Sequence, residues 1–220
     1  MHEQTTDGTE NVLVIGLTGQ TGAGKTTVSS IFEAHGFAVI NADQIARQVV
    51  VPDSPCLAEL CECFGTEILL PDGNMNRPRV AELVFSDPCK NEILGSIMYP
   101  YILKEILSQI QAYAQAGKQW LLLDAPTLFE SRADDFCQLV LSVLAEPEIR
   151  LARIMARDHI TEEQARKRMD AQLSADYFRE HSDFVICNNG DRELLCAVTC
   201  EVIEKIREYR SLHDAFSASN

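Results

Sequence analysis

The sequence predicts a three-layer α/β/α protein: a parallel β-sheet with helices on both faces, one long helical insertion and a small helical lid. Three observations predict it. Five short apolar runs recur along the chain, at 12–15, 37–40, 120–124, 139–144 and 184–186, each with the form of a strand buried on both faces. The stretches between them carry apolar residues at helical spacing. Between the second and third runs the helical pattern extends for roughly sixty residues, far more than a simple crossover needs.

The first run, Val12-Leu13-Val14-Ile15, leads through Gly16-Leu17-Thr18 into Gly19-Gln20-Thr21-Gly22-Ala23-Gly24-Lys25-Thr26. This fits G-x-x-x-x-G-K-[ST] without a gap, and Val28, Ile31 and Phe32 then recur at helical spacing until Gly36. Strand, glycine-rich loop and helix stand in the order of a P-loop NTPase. The glycines allow successive N–H groups to point at one anion, and the start of the following helix adds its dipole. Lys25 is placed to reach the β- and γ-phosphates, and the Thr26 hydroxyl to ligate Mg²⁺. The motif predicts a nucleoside triphosphate site.

Composition narrows the partners. The 220 residues suffice for one substantial α/β domain with an inserted subdomain. A net charge of −14 argues against general binding to nucleic acid or anionic membrane, so any polyanion site must be a local basic patch. No apolar run approaches the ~20 residues of a membrane span, and the polar, acidic first ten residues do not resemble a secretion signal. The eight cysteines form no C-x-x-C pair and have no completing histidines. They read as free thiols in a reducing cytoplasm.

Taken in order, residues 1–10 read as a tail. Phe37-Ala38-Val39-Ile40 is the second strand, with Asn41-Ala42-Asp43 at its carboxyl end, where open parallel sheets gather their ligands. Asp43 either serves that site or caps the helix after it. Residues 52–117 form the helical insertion, with helical spacing at 56–64, 77–85, 88–96 and 101–116 and breaks at Pro52, Pro55, Pro71-Asp72-Gly73 and Pro100. This architecture suits a pocket for a second substrate. Trp120-Leu121-Leu122-Leu123-Asp124 is a buried strand ending in aspartate, and Glu130 follows near the same edge. The core thus comprises 11–51 and 118–210. Its last helix covers 192–209, and a second tail covers 211–220.

Residues 148–175 carry the second informative cluster. Arg150, Arg153 and Arg157 lie at i, i+3 and i+7, on one helix face. Thr161-Glu162-Glu163-Gln164 is a capping-box pattern opening a helix that bears Arg166, Lys167 and Arg168. Six of the nineteen Lys and Arg residues fall between 150 and 168. A helix–turn–helix with an arginine stripe suits a lid whose guanidinium groups neutralise the transferring phosphate. The competing reading is a solvated face laced with pairs such as Glu146–Arg150 or Glu162–Arg166.

With these residues placed, the chain over about 13–191 resembles the dephospho-CoA kinase family. The resemblance rests on GLTGQTGAGKTT, NADQIARQVV, FGTEILLPDGNMNRP with VFSDP, LLLDAPTLFE, and RIMARD…ARKRMDAQ followed by DFVICNNGD. It implies a five-stranded parallel sheet, a helical domain for the acceptor, and transfer of the γ-phosphoryl of ATP, with Mg²⁺, to the ribose 3′-hydroxyl of dephospho-CoA. It further implies that Thr21, Gly22, Ala23, Gly24, Lys25, Thr26, Thr27 and Asn188 bind ATP, and that Thr26 ligates the metal. Thr18, Asp43, Arg47, Arg77 and Tyr99 would meet the acceptor. Asp43 would act as base toward its hydroxyl or orient it, Lys25 and Arg157 would serve the transfer, and Gln172 occupies a motif position. The chain departs from the family pattern at Asn41, Tyr99 and Thr127, where Asp, His and Leu are usual. Two other readings stay open: another P-loop small-molecule kinase, and an ATP-binding regulator without catalysis. The expected state is a monomer or weak homo-oligomer.

Overall fold

A computed structural model describes residues 12–85 and 87–217. The five strands are β1 (Leu13–Gly19), β2 (Ala38–Asn41), β3 (Trp120–Asp124), β4 (Leu139–Leu144) and β5 (Phe184–Cys187). They form one parallel sheet in the order β2-β3-β1-β4-β5. Strand β1 lies at the centre, where the connections change direction, and ligand crevices open at the carboxyl end of such a point.

Alternation along β1 divides the core. Leu13, Ile15 and Leu17 face one side, with Val28 and Phe32 of α1 (Lys25–Ala34) and Leu195, Val202 and Ile203 of α9 (Arg192–Ser217). Val12 and Val14 face the other, with Ile45 of α2 (Ala42–Gln48) and Ile102, Ile106 and Ile110 of α5 (Pro88–Gln115). Both faces are therefore covered, as the unbroken apolar runs require. The strand outlasts its apolar run because it is paired on both edges, Leu17 beside Asp124 and Gly19 beside Val143. Those ladders hold Gly16 and Gly19 extended against their own low preference for strands.

The insertion has its own small core. Val50, Cys56, Leu60, Ile68, Val80 and Val84 pack together between α3 (Pro55–Phe64), α4 (Arg77–Phe85) and the start of α5. Ser54 caps α3 by accepting a bond from Leu57 N, with Pro55 at the first helical position. A boundary at 117 separates too much, because the second half of α5 covers the sheet itself.

Two sequence expectations are corrected. Pro100 does not break the helix: α5 runs through it from Pro88 to Gln115. Leu94, Ile97 and Tyr101 pack on the insertion core while Met98 and Tyr99 pack beneath the sheet, so burial on both sides of the proline outweighs the lost hydrogen bond. Nor does a tail begin at residue 211. Helix α9 continues to Ser217, since 211–217 contains neither glycine nor proline and Ser211 Oγ donates to Arg207 O at 3.0 Å. The expected tail at 1–10 lies outside the described residues.

Gly19 is the tightest backbone position in the sheet. Its φ is +145°, and a Cβ there would overlap the carbonyl oxygen of Val143 on β4. Gly19→Ala is expected to lower stability by about 3 kcal/mol, because neither ladder backbone can yield. Urea denaturation of the full chain measures it, and a wild-type midpoint would remove the claim of close approach.

Candidate active site

The loop between β1 and α1 encloses a cavity of about 560 Å³. Gly19 to Gly22 and Gly24 to Thr26 form its floor, and Asp43, Pro126, Arg153, Arg157 and Gln172 rise around it. Gly24 caps α1 in the left-handed region at φ +102°, with no side chain capping the first turn. A Cβ at Gly24 would strike the Asn188 amide. The start of α1 is thus left to meet an anion with bare backbone N–H groups.

Three consecutive carbonyls on the outer side of this loop each receive a side-chain donor. Arg150 Nε donates to Thr21 O at 2.9 Å, Arg153 Nη1 to Gly22 O more loosely at 3.5 Å, and Asn188 Nδ2 to Ala23 O at 2.7 Å. The two arginines come from α6 (Pro147–Asp158) and Asn188 from the end of β5. Gln172 Oε1 accepts both Thr21 N at 2.9 Å and Arg150 Nη2 at 3.2 Å. Gln20 Nε2 reaches Leu173 O at 3.3 Å. The link between α7 (Glu162–Asp170) and α8 (Ala175–Glu180) is thereby fastened to the phosphate loop.

The arginine stripe is accordingly split. Arg150 is 4% exposed, and burial pushes its guanidinium down from its ordinary value. It neither pairs with Glu146 on a solvated face nor opens to the cavity, because its helix face is pressed against the loop. Arg153 lines the cavity while also donating to Asn188 O at 3.1 Å. Arg157 reaches the rim, mostly exposed, with both ends of its fork on Asp158 at 2.7 and 2.9 Å. Arg168 joins the same carboxylate at 2.7 Å, and the two cations, Arg157 foremost, hold Asp158 below the usual carboxylate range. Arg166 and Lys167 pair with Glu162 and Glu163 on the surface, and the Thr161–Gln164 capping box is formed.

Lys25 and Asp124 form an ion pair at the foot of the cavity, with Asp124 5% exposed at the end of β3. Asp43 stands across from them although β3 separates β2 from β1. It is not the helix cap: Asn41 caps α2, its Oδ1 accepting from Gln44 N at 2.9 Å. Asn and Asp cap about equally well, so Asn at this position keeps the helix start and leaves Asp43 exposed to the cavity.

Other expected site residues lie away from it. Thr18 is fully buried, its Oγ1 donating to Pro126 O at 3.3 Å, because β1 remains in the sheet through Gly19. Ala23 is fully buried and offers only its backbone. Thr27 and Asn188 line an adjoining pocket of about 240 Å³ with Arg153, Gly190 and Leu195. Arg47 and Arg77 are exposed near one another, outside the cavity wall. Burial first, and the Arg47 charge second, lower the Arg77 guanidinium. Neither forms an ion pair among the described residues. Tyr99 is half-buried on α5, its ring against Gly95, and desolvation followed by the Glu130 carboxylate raises its phenol. Thr127 turns the chain after β3, its carbonyl accepting from Ser131 Oγ at 2.7 Å. Sequence reasoning did not place Gln20 or Pro126 at the site, and nothing in their residue types marks them.

Among the described residues no group of three or more His, Cys, Asp or Glu is arranged to hold a metal. The cavity offers the Thr26 hydroxyl and the Asp43 carboxylate instead. Such a half-site of hard oxygens fits Mg²⁺ arriving with phosphates, not a closed protein cage. No helix among the described residues is long and apolar enough to cross a membrane.

Comparison with known proteins gives a consistent result. Residues 13–193 match the family model described as dephospho-CoA kinase. A dephospho-CoA kinase from Arabidopsis thaliana is 37% identical over 211 residues, covering 93% of this chain and 91% of the relative. One from Syntrophotalea carbinolica is 41% identical over 182 residues, covering 83% and 86%. The solved dephospho-CoA kinase of Campylobacter jejuni superposes with a TM-score of 0.66 at 27% identity, covering 90% of this chain and 98% of that one.

The buried donor to the loop and the exposed lid pairs should separate in a stability measurement. Arg150→Met leaves Thr21 O without its donor and Gln172 Oε1 with Thr21 N alone, and is expected to cost about 2–4 kcal/mol. Arg166→Met removes only solvated contacts and should leave the unfolding midpoint unchanged. Equal midpoint shifts would contradict this division of the helix face.

Proposed function

Because the chain belongs to the dephospho-CoA kinase family, we propose which of its residues carry the reaction of that family. The enzyme phosphorylates dephospho-CoA to CoA in the last step of coenzyme A biosynthesis. ATP is the phosphoryl donor, and the acceptor is the ribose 3′-hydroxyl. The observation that carries the residue assignment is the single cavity that gathers the phosphate loop, Lys25, Asp43 and Arg157.

Phosphoryl transfer asks for in-line positioning, charge neutralisation and exclusion of water. The backbone N–H groups of Gly22, Gly24, Lys25 and Thr26, at the loop and the start of α1, hold the β- and γ-phosphates. Lys25 leaves Asp124 for the phosphates when ATP arrives. Asp124 then keeps the lysine's return position. Asp43 orients the acceptor hydroxyl and takes its proton. Arg157 exchanges Asp158 for the transferring phosphoryl, and Arg153 adds a second positive charge from the same face. Mg²⁺, held through Thr26, supplies neutralisation of the phosphate oxygens when bound with ATP. Arg47 and Arg77 have the charge and exposure to take the acceptor's anionic groups, and their mutual repulsion favours an anion between them. Asn188 acts on ATP through the loop it holds, by way of the Ala23 carbonyl.

Asn41 favours a working enzyme over a silent regulator. Its amide performs the capping that an aspartate would perform there, and Asp43 keeps its place in the cavity.

The test is ADP release from ATP–Mg²⁺ with and without dephospho-CoA, with the product identified by mass. ADP should appear only with the acceptor, and CoA should be the product. Lys25→Ala and Asp43→Asn should each lower kcat about 10²–10⁴-fold in folded protein. Arg47→Ala and Arg77→Ala should raise KM for dephospho-CoA about tenfold with kcat retained. Near-normal turnover in folded Asp43→Asn would overturn its role as base.

A further inference from the structure

A second groove, of about 510 Å³, lies between α1 and α9, running from Thr26 and Thr27 at the phosphate loop to His35 at the far end of α1. Cys196 and Cys200 line it at i, i+4 on α9, His35 lines it at the end of α1, and Arg192 stands at its rim. Cys200 Sγ is 3.7 Å from His35 Nε2. The other ring nitrogen fixes the tautomer. His35 Nδ1 lies 2.8 Å from the carbonyl oxygen of Ile31, which can only accept, so Nδ1 carries the proton and Nε2 presents its lone pair to the thiol. The His35 carbonyl accepts in turn from Arg207 Nη2 at 3.1 Å, which holds the end of α1 against α9.

This is the arrangement that makes a thiol nucleophilic: a base in contact, its orientation set by a third group, and an open approach. Among the described residues no other cysteine has a histidine bonded to its sulfur, including Cys61 and Cys196, the latter in the same groove. Cys56 and Cys137 are removed from reaction by burial, which pushes Cys56 up to about 11 and Cys137 higher still. Cys63, Cys89 and Cys187 are exposed, with no histidine bonded to the sulfur among the described residues. Arg192 forms no ion pair among the described residues, and its charge suits a carboxylate or phosphate on the incoming molecule.

We propose that the His35–Cys200 groove is a thiol-modification site that exchanges with small disulfides bearing an acidic group. The Cys200 proton passes to His35 Nε2, and the thiolate attacks one sulfur of the R–S–S–R molecule. The S–S bond of that molecule breaks and the Cys200–S–S–R bond forms. The departing thiolate leaves as R–SH, taking the proton back from His35. Cys200 is oxidised and one R sulfur is reduced, so no further reagent is required.

The experiment treats the full chain with limiting oxidised glutathione, then separately with cystamine, and follows the adduct at each cysteine by peptide mass spectrometry over time. With oxidised glutathione, Cys200 is expected to react about tenfold faster than Cys63, Cys89 or Cys187, and His35→Gln should remove that advantage. Arg192→Gln should slow oxidised glutathione at Cys200 while leaving the cationic cystamine no slower. Kinase turnover of Cys200→Ser and His35→Gln, both outside the transfer site, serves as the check of folding. Equal labelling of all exposed cysteines, or a Cys200 rate indifferent to His35→Gln, would overturn the site. A preference for cystamine over oxidised glutathione would overturn the ligand class.

Discussion

A phosphate loop must turn its N–H groups inward, and everything around this site follows from what that does to its carbonyls. Groups that point away from the phosphates face protein instead of water, and an unpaired carbonyl there is costly. In this chain the oxygens of Thr21, Gly22 and Ala23 are met by Arg150, Arg153 and Asn188. These donors come from sequence positions far from the loop, at the root of α6 and the end of β5. The β4–α6 and β5–α9 junctions are therefore parts of the phosphate site, although no phosphate would touch most of them. Burying Arg150 without a carboxylate partner also leaves a fixed positive charge behind the loop, on the side where triphosphate charge accumulates.

The same constraint divides the lid into a fixed base and an exposed outer part. Its base is held by Arg150 and by the Gln20, Gln172 and Leu173 bonds to the loop. Its own core is small, with Leu151, Ile154 and Ala165 buried together. Beyond them, Arg157, Arg166 and Lys167 have carboxylate partners in solvent. Exchange of one solvated partner for another has little energetic consequence, whereas pulling the buried Arg150 from its two oxygen contacts is costly. Closure by the outer lid arginines is thus compatible with a phosphate loop that stays in one conformation.

Elements with a strong local signature were legible in the sequence. The glycine motif, the apolar runs at Trp120–Asp124 and Leu139–Leu144 and the capping box at Thr161 each specify a local geometry, and the chain adopts it. What sequence patterning leaves open is what a given face meets. The spacing of Arg150, Arg153 and Arg157 places them on one side of a helix, but only the packing of α6 on the phosphate loop makes the first a buried structural donor. Pro100 ended a helix on local grounds, and apolar contacts on both of its flanks carried α5 through. Asn41 looked like a lost charge; its Oδ1 turned out to cap α2, a role set by β2 ending one residue before the helix. The family resemblance put Thr18 among the acceptor contacts, yet the β1 ladders keep it within the sheet.

The acidic composition and the phosphate site are reconciled by distance. A net charge of −14 would repel a triphosphate if it acted as a whole. Screening at physiological ionic strength limits each exposed charge to about 8 Å, so only nearby groups determine the potential in the cavity. There Lys25 and Asp124 cancel, and Arg153, Arg157 and Arg168 outnumber the carboxylates of Asp43 and Asp158. The local balance is positive although the surface is not. A long polyanion would have to lie across the surrounding acidic surface, whereas a nucleotide meets only the cavity. The concentration of cations in 150–168 is what lets an acidic chain keep a positive phosphate cavity.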